Sequence, residues 1–240
     1  MKFSIVFATV LSLWFCPMAG AKDEVIRIST SYRNLLSTSE CSGMLDQVVK
    51  EAFRRIGVKA EIVFTNTRRS LVAVNAGQID GEINRIEGIE KNYPNLVRVL
   101  EPNMQMKFVA FARREIPISD WESLRGLRIG MVQGWKILES NTKDFPNIIR
   151  LTEVSALFTM LEMDRLDVVL YSKLTGYEEI HKLGYNDIQH LSPALSEQDM
   201  FLYLHKSHEN LGVPLAEALR EMKKDGTYDK IVNETTCHLH

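Results

Sequence analysis

The residues of this chain best suited to chemistry are cations and rings. Arg85 follows Gly81-Glu82-Ile83-Asn84, a stretch that reads as a short strand. Arg68 stands at the start of a helical pattern capped by Thr67. A helix N-terminus presents free backbone N–H groups, so an Arg there favours an anion. Arg69, beside it, reads as a solvated helix-end residue. A guanidinium is costly to bury alone, so a bound group or a neighbouring acid has to meet Arg85, and Glu82 can be that neighbour. Trp135 follows Gly134 at a strand-to-helix turn. Its indole either packs under the helix or stacks on a ring or apolar part of a bound molecule. Tyr171 ends another strand and offers a hydroxyl, whereas Ser155 reads as a helix cap.

Acid–base chemistry would draw on Glu82, Glu87 or Glu90. No Ser-His-Asp, Cys-His or metal spacing accompanies them. His181, His190, His205 and His208 are scattered and read as exposed. The closing Cys237-His238-Leu239-His240 has no matching ligand group elsewhere at metal-site spacing and reads as a frayed tail. No metal and no cofactor is expected, and the chain reads as a binder rather than an enzyme.

The elements that must position these residues are legible from periodicity. Val25 to Thr30 alternates as a strand does. Ser42 reads as the cap of a helix whose apolar residues run from Met44 to Ile56, stopped by Gly57. Lys59 to Phe64 is a second strand, Thr67 to Gly77 a second helix, and Gly81 to Asn84 a third strand. This β-α-β-α-β order implies a parallel sheet with covering helices. Residues 86 to 103 read as loop. Met106 to Arg113 is a strand, and Ser119 with Glu122 reads as a capping box. The first pattern then returns. Strands fall at Leu127 to Val132, Ile148 to Leu151 and Val168 to Tyr171, and helices follow Trp135, Ser155 and Leu174. A strand at Met200 to His205 and helices near Leu215 to Lys224 and Tyr228 to Val232 finish the chain. Two α/β units joined by extended segments near Met106 to Ala112 and Met200 to His205 describe two lobes with a double crossover. The Phe108 to Phe111 stretch reads as hinge core.

Acidic and basic residues nearly balance, 31 against 29. Neither nucleic acid nor an anionic membrane is suggested as a partner. Lys2, the apolar run Phe3 to Phe15, Pro17 and Ala19-Gly20-Ala21 come in the order of a cleaved signal peptide, residues 1–21. Cys16 is preceded by the bulky Trp14 and Phe15, which argues against a lipoprotein. The remaining chain is long enough for one large domain or two small ones. Cys41 and Cys237 suit a disulfide in an oxidising compartment, or stay as two free thiols.

Four stretches carry a resemblance. They are Gly77-Gln78-Ile79-Asp80-Gly81, Leu124-Arg125-Gly126-Leu127-Arg128-Ile129-Gly130-Met131-Val132-Gln133-Gly134, Leu166-Asp167-Val168-Val169-Leu170 and Lys224-Asp225-Gly226-Thr227-Tyr228-Asp229-Lys230-Ile231. In this order they resemble the bacterial extracellular solute-binding proteins of family 3, the amino-acid-binding group of the type II periplasmic binding fold. The resemblance implies an inserted second lobe, residues 108–199, within a first lobe of residues 22–107 plus 200–240. It implies closure of the lobes on a small ligand at strand ends and helix N-termini. Arg85, Arg68, Trp135, Tyr32 and Tyr171 are then the ligand-binding candidates, with Tyr32 placed where the fold puts an aromatic lid. The partner is a small polar solute, anionic or zwitterionic, held by a monomer and read by an ABC-type membrane permease or a sensor kinase.

Two departures from the family pattern stand out. The Thr-x-x-Arg that holds an amino-acid carboxylate is replaced by Arg85-Ile86-Glu87-Gly88-Ile89-Glu90. The acid that holds the amine is replaced by Tyr171-Ser172. An ordinary α-amino acid therefore lacks both usual clamps here. A dehydratase-like enzyme on the same fold, or a member with no small ligand, are the alternatives.

Overall fold

The computed structural model describes residues 25–239; the expected leader, with Cys16, and the terminal His240 lie outside the described residues. The first half follows the periodicity closely. β1 (Val25–Thr30), α1 (Met44–Arg55), β2 (Lys59–Phe64), α2 (Thr67–Asn75) and β3 (Gly81–Arg85) form in turn. β1 pairs in parallel with both β2 and β3. α1 buries Met44, Leu45, Val48, Val49, Ala52 and Phe53, the stripe that a 3.6-residue period puts on one face. Its cap is Gly43 rather than Ser42. The Asp46 carboxylate accepts the Gly43 and Thr38 amides at 3.0 and 3.1 Å and the Ser37 hydroxyl at 2.6 Å. An acid three residues into the helix satisfies donors that a hydroxyl cap would leave open.

The stretch read as loop hides β4 (Leu96–Arg98), preceded by a 3₁₀ turn, Ile89–Lys91. Three residues bounded by Pro94 and Pro102 are too short to show alternation. Then come β5 (Met104–Ala112), β6 (Ile129–Val132), α3 (Lys136–Asn141), β7 (Ile148–Leu151), α4 (Val154–Glu162), β8 (Val168–Ser172), α5 (Lys173–Leu183), β9 (Gln189–His190) and β10 (Ser196–His205). Helices α6 (Gly212–Lys224) and α7 (Thr227–Thr236) follow, and a last turn spans Cys237–Leu239. Ser119 and Glu122 open only a 3₁₀ turn, Glu122–Leu124, where Ser123 and Asp120 bond instead. Ser155 falls inside α4, whose cap is Glu153. The tail does not fray: it coils against α5, with the His181 and His238 rings 5.7 Å apart.

The strands form one sheet in the order β2-β1-β3-β10-β5-β8-β6-β7, with β4 on β10 and β9 on β5. β10 and β5 are the two crossovers. The first half of β10 pairs antiparallel with β5, from Ser196 opposite Phe108 to Met200 opposite Met104. Its second half pairs with β3 and β4. β5 in turn pairs with β8 through Phe108 to Phe111. Two α/β lobes thus share one continuous apolar core, which runs from Ile28 and Phe53 through Phe108 to Ile129 and Leu170. A second cluster of Val109, Phe111, Leu157, Phe158 and Val169 fills the inserted lobe. Phe108 and Phe111 are buried, as hinge core requires.

The expected Cys41–Cys237 disulfide is not formed; both are free thiols. Cys41 Sγ is turned to the Ile62 carbonyl at 3.5 Å, and Cys237 Sγ to the Glu234 carbonyl at 3.4 Å. Each thiol faces a backbone carbonyl on a different element.

Candidate functional site

The crossover strands β10 and β5 link β3 of the first lobe to β8 of the second through one sheet. On the first lobe, Tyr32 follows β1, and its hydroxyl accepts Asn84 Nδ2 at 2.9 Å. Asn84 Oδ1 accepts Asn103 Nδ2 at 3.0 Å. Asn84 has φ 66, in the left-handed region that Asn tolerates better than most residues. The β10 register against β3 shifts at the same level, between Phe201 and Tyr203. Such irregular strand ends collect at binding sites.

Glu82 and Arg85 flank this kink. Glu82 is wholly buried. It accepts Arg85 Nη2 on one oxygen and the Ser70 hydroxyl on the other. Ser70 Oγ lies 2.6 Å from Ser29 Oγ. Burial pushes the Glu82 carboxyl up to about 7, with Arg85 opposing the shift. Arg85 is largely buried too, its side chain 14% exposed, and its Nε has no acceptor among the described residues. A guanidinium carries five N–H donors, so pairing with Glu82 does not exhaust it.

On the inserted lobe, Gly134 at φ 91 turns the chain from β6 into α3, a conformation that L side chains avoid. Trp135 caps α3, and its indole stacks on Tyr171 at 4.6 Å and 19°. Phe108 meets Trp135 edge-on at 5.6 Å, and Phe158 meets Tyr171 at 6.5 Å. Burial pushes the Tyr171 hydroxyl up to about 12, and the field of Tyr32 adds to the rise. Between the lobes, the Leu35 amide donates to Glu178 Oε1 at 3.1 Å, and Lys182 pairs with Glu178 at 2.6 Å. An open cavity of about 840 Å³ adjoins this contact, lined among others by Tyr32, Leu35, Cys41, Glu178, Lys182 and His238.

Of the sequence-predicted set, Tyr32 and Arg85 lie at the ends of β1 and β3, with Tyr32 lining the cavity, and Trp135 and Tyr171 stack on each other at the ends of β6 and β8. Arg68 lies in the first turn of α2, and its side chain is outside the described part of the structure. Sequence reasoning missed Asn84, Ser70 and Glu178. Only Glu178 left a signal: an acid on the buried side of an amphipathic helix, four residues before Lys182. Other candidate acids have structural partners. Glu87 pairs with Arg98 at 2.7 Å, and Glu90 accepts the Tyr203 hydroxyl at 2.9 Å. The expectation of four exposed histidines is corrected at three of them, His190, His205 and His208, which are partly buried. His208 Nε2 sits 3.1 Å from Asp80 Oδ1, and His190 Nδ1 sits 2.6 Å from the Tyr177 hydroxyl. Among the described residues, no group of three or more His, Cys, Asp and Glu could hold a metal ion, and no helix is long and apolar enough to cross a membrane.

Comparison with known proteins adds to this geometry. The model of the bacterial extracellular solute-binding proteins, family 3, matches residues 30–235. A protein of Shewanella oneidensis, itself uncharacterized, is 25% identical over 194 residues, covering 76% of this chain and 72% of that one. Among solved structures, an ancestral cationic amino acid solute binding protein aligns with a TM-score of 0.71 at 17% identity, over 88% of this chain and 95% of that chain. A histidine kinase sensor domain with similarity to periplasmic binding proteins aligns at 0.67 and 15%, over 88% and 95%. The substrate binding protein of an amino acid ABC transporter aligns at 0.64 and 21%, over 88% and 98%. At these identities the structures share a fold.

Proposed function

The chain belongs to the bacterial extracellular solute-binding proteins of family 3, and from that premise we propose that it is exported to the periplasm to capture a small polar solute, anionic or zwitterionic, between its lobes. One observation carries the reading. On one lobe the Arg85 guanidinium lies beside Glu82 with its Nε lacking an acceptor among the described residues, and on the other lobe Trp135 stacks on Tyr171. A cationic fork suits a carboxylate or similar group, and stacked rings suit a planar or apolar portion. Lobe 1, residues 22–107 plus 200–240, and lobe 2, residues 108–199, close about β5 and β10. The liganded monomer is then read by an ABC-type permease or a sensor. Both destinations have structural counterparts, in the transporter binding protein and the kinase sensor domain. The protein binds its solute unaltered.

The test is a thermal-shift screen of the purified protein against a solute library, with mass spectrometry of each hit after incubation. One solute should raise the melting temperature strongly and be recovered unchanged. Arg85→Ala should abolish that rise. Recovery of a converted solute replaces binding with a dehydratase-like activity. No stabilisation by any solute points to a member without a small ligand.

A further inference from the structure

Resting on that reading, we propose that Glu82 sets the charge class of the solute: an anionic group docks on Arg85 only together with a proton, which Glu82 takes from solvent.

The argument starts from the surroundings of Glu82. It is wholly buried in the middle of β3, with one oxygen on Arg85 Nη2 and the other on the Ser70 hydroxyl of α2. From the β1 side it is faced by Ser29, which bonds Ser70, and by Tyr32, whose hydroxyl feels the Glu82 charge. From β10 it is registered opposite Tyr203, whose hydroxyl turns away to Glu90 and the Ile86 carbonyl. Among the described residues, Arg85 is therefore the one cation in contact with it. Among the described side chains, an incoming anion then makes two negative charges for one guanidinium in a site of low dielectric. The cheaper arrangement protonates the buried carboxyl. One proton passes from solvent to a Glu82 oxygen, no other bond is made or broken, and the occupied site carries the same net charge as the empty one. The Ser70 hydroxyl can turn from donor to acceptor and receive the new O–H, since a hydroxyl serves in either role. A neutral solute brings no second charge and needs no proton.

Two matched pairs of probes test this: phenylacetate with phenylacetamide, and butyrate with butyramide. Binding is measured by titration calorimetry at pH 8 in phosphate and in Tris, which differ in ionisation enthalpy, and repeated at pH 6. The expected result is uptake approaching one proton per anion and none per amide. Anion affinity should fall by about tenfold per pH unit above neutrality. In Glu82→Gln, proton uptake should vanish and anion affinity become flat with pH. The two-buffer measurement on the unaltered protein stands alone if that variant does not fold. Anion binding that is lost in Arg85→Ala yet takes up no proton overturns the inference and leaves the solute-binding reading intact. Failure of both anions to bind at pH 6 also overturns the inference, and the solute screen decides separately whether the reading falls with it.

Discussion

The Glu178 carboxylate accepts the Leu35 backbone amide at 3.1 Å, although 143 residues of chain separate them. Leu35 sits in the loop after β1, and Glu178 on the buried side of α5, so the bond joins the two lobes. Lys182 Nζ pairs with the same carboxylate at 2.6 Å. A hydrogen bond to a charged group contributes about 1.5–3 kcal/mol, and this one exists only while the lobes are together. Glu178→Ala should lower affinity for the captured solute by roughly tenfold to a hundredfold. It should also enlarge the radius of gyration of the unliganded protein in small-angle X-ray scattering. Unchanged affinity and an unchanged radius would show that closure does not depend on the bond.

Trp135 gives the site an optical handle. Its indole lies against Tyr171 and edge-on to Phe108, half-buried at the start of α3. A solute that enters beside this stack changes the polarity around the indole, so binding should shift its fluorescence. Trp135→Phe keeps a ring and should keep most of the affinity while losing the signal. Trp135→Ala loses stacking of about 0.5–1.5 kcal/mol as well as buried area, and should weaken binding by at least several-fold. A binding signal that survives in Trp135→Phe would place the solute elsewhere, since Trp121 would then be reporting it.

The elements holding these residues were largely legible because period and punctuation agree. β1, β2 and β7 begin and end where alternation does, and α1 follows its apolar stripe from Met44. What failed was short or non-local. β4 is three residues long and exists through its pairing with β10. The β10 strand begins at Ser196 rather than Met200, because its polar first half is held by β5 and not by its own composition. Arg85 and Trp135 were legible from residue type at an element's end. Asn84 and Ser70 were not, and Glu178 showed only as an acid on the buried side of its helix, because each matters through a partner distant in sequence: Tyr32, Glu82 and Leu35. The expected disulfide failed for a related reason, since cysteine count carries no information on where each Sγ points.

Gly176 tests how tightly α5 must sit. A Cβ at this position would come within 2.4 Å of the Phe111 ring. Phe111 is wholly buried between Phe158 and Tyr177, so it has little room to yield. The better helix propensity of Ala, worth about 1 kcal/mol, is offset by overpacking of about 1–3 kcal/mol. Gly176→Ala should lower the thermal midpoint by a few degrees. It should also weaken solute binding, because the same helix carries Glu178. A midpoint at or above that of the unaltered protein would mean that β5 and α5 can part without cost.

The buried Glu82 carboxyl also predicts how stability depends on pH. Its folded value is raised from the ordinary 4.5 to about 7, so between those limits the folded protein binds a proton that the unfolded chain has released. Stability is then fully present below about pH 4.5 and declines as pH rises to about 7. The shift corresponds to about 3 kcal/mol. Groups with depressed values act elsewhere. Glu51, held near 2 by its bond from Arg54, and Asp225, held near 2 by Arg55, contribute stability that is lost only at lower pH. His190, whose folded value is lowered by burial, adds a pH dependence of its own, so the difference between two proteins is the cleaner quantity. Urea unfolding of the unaltered protein and of Glu82→Gln should give a difference in free energy that grows from pH 5 to pH 8, with the variant the more stable at pH 8 by up to about 3 kcal/mol. A difference independent of pH over that range would mean that Glu82 stays ionised in the folded protein, with Arg85 sufficient to hold its charge.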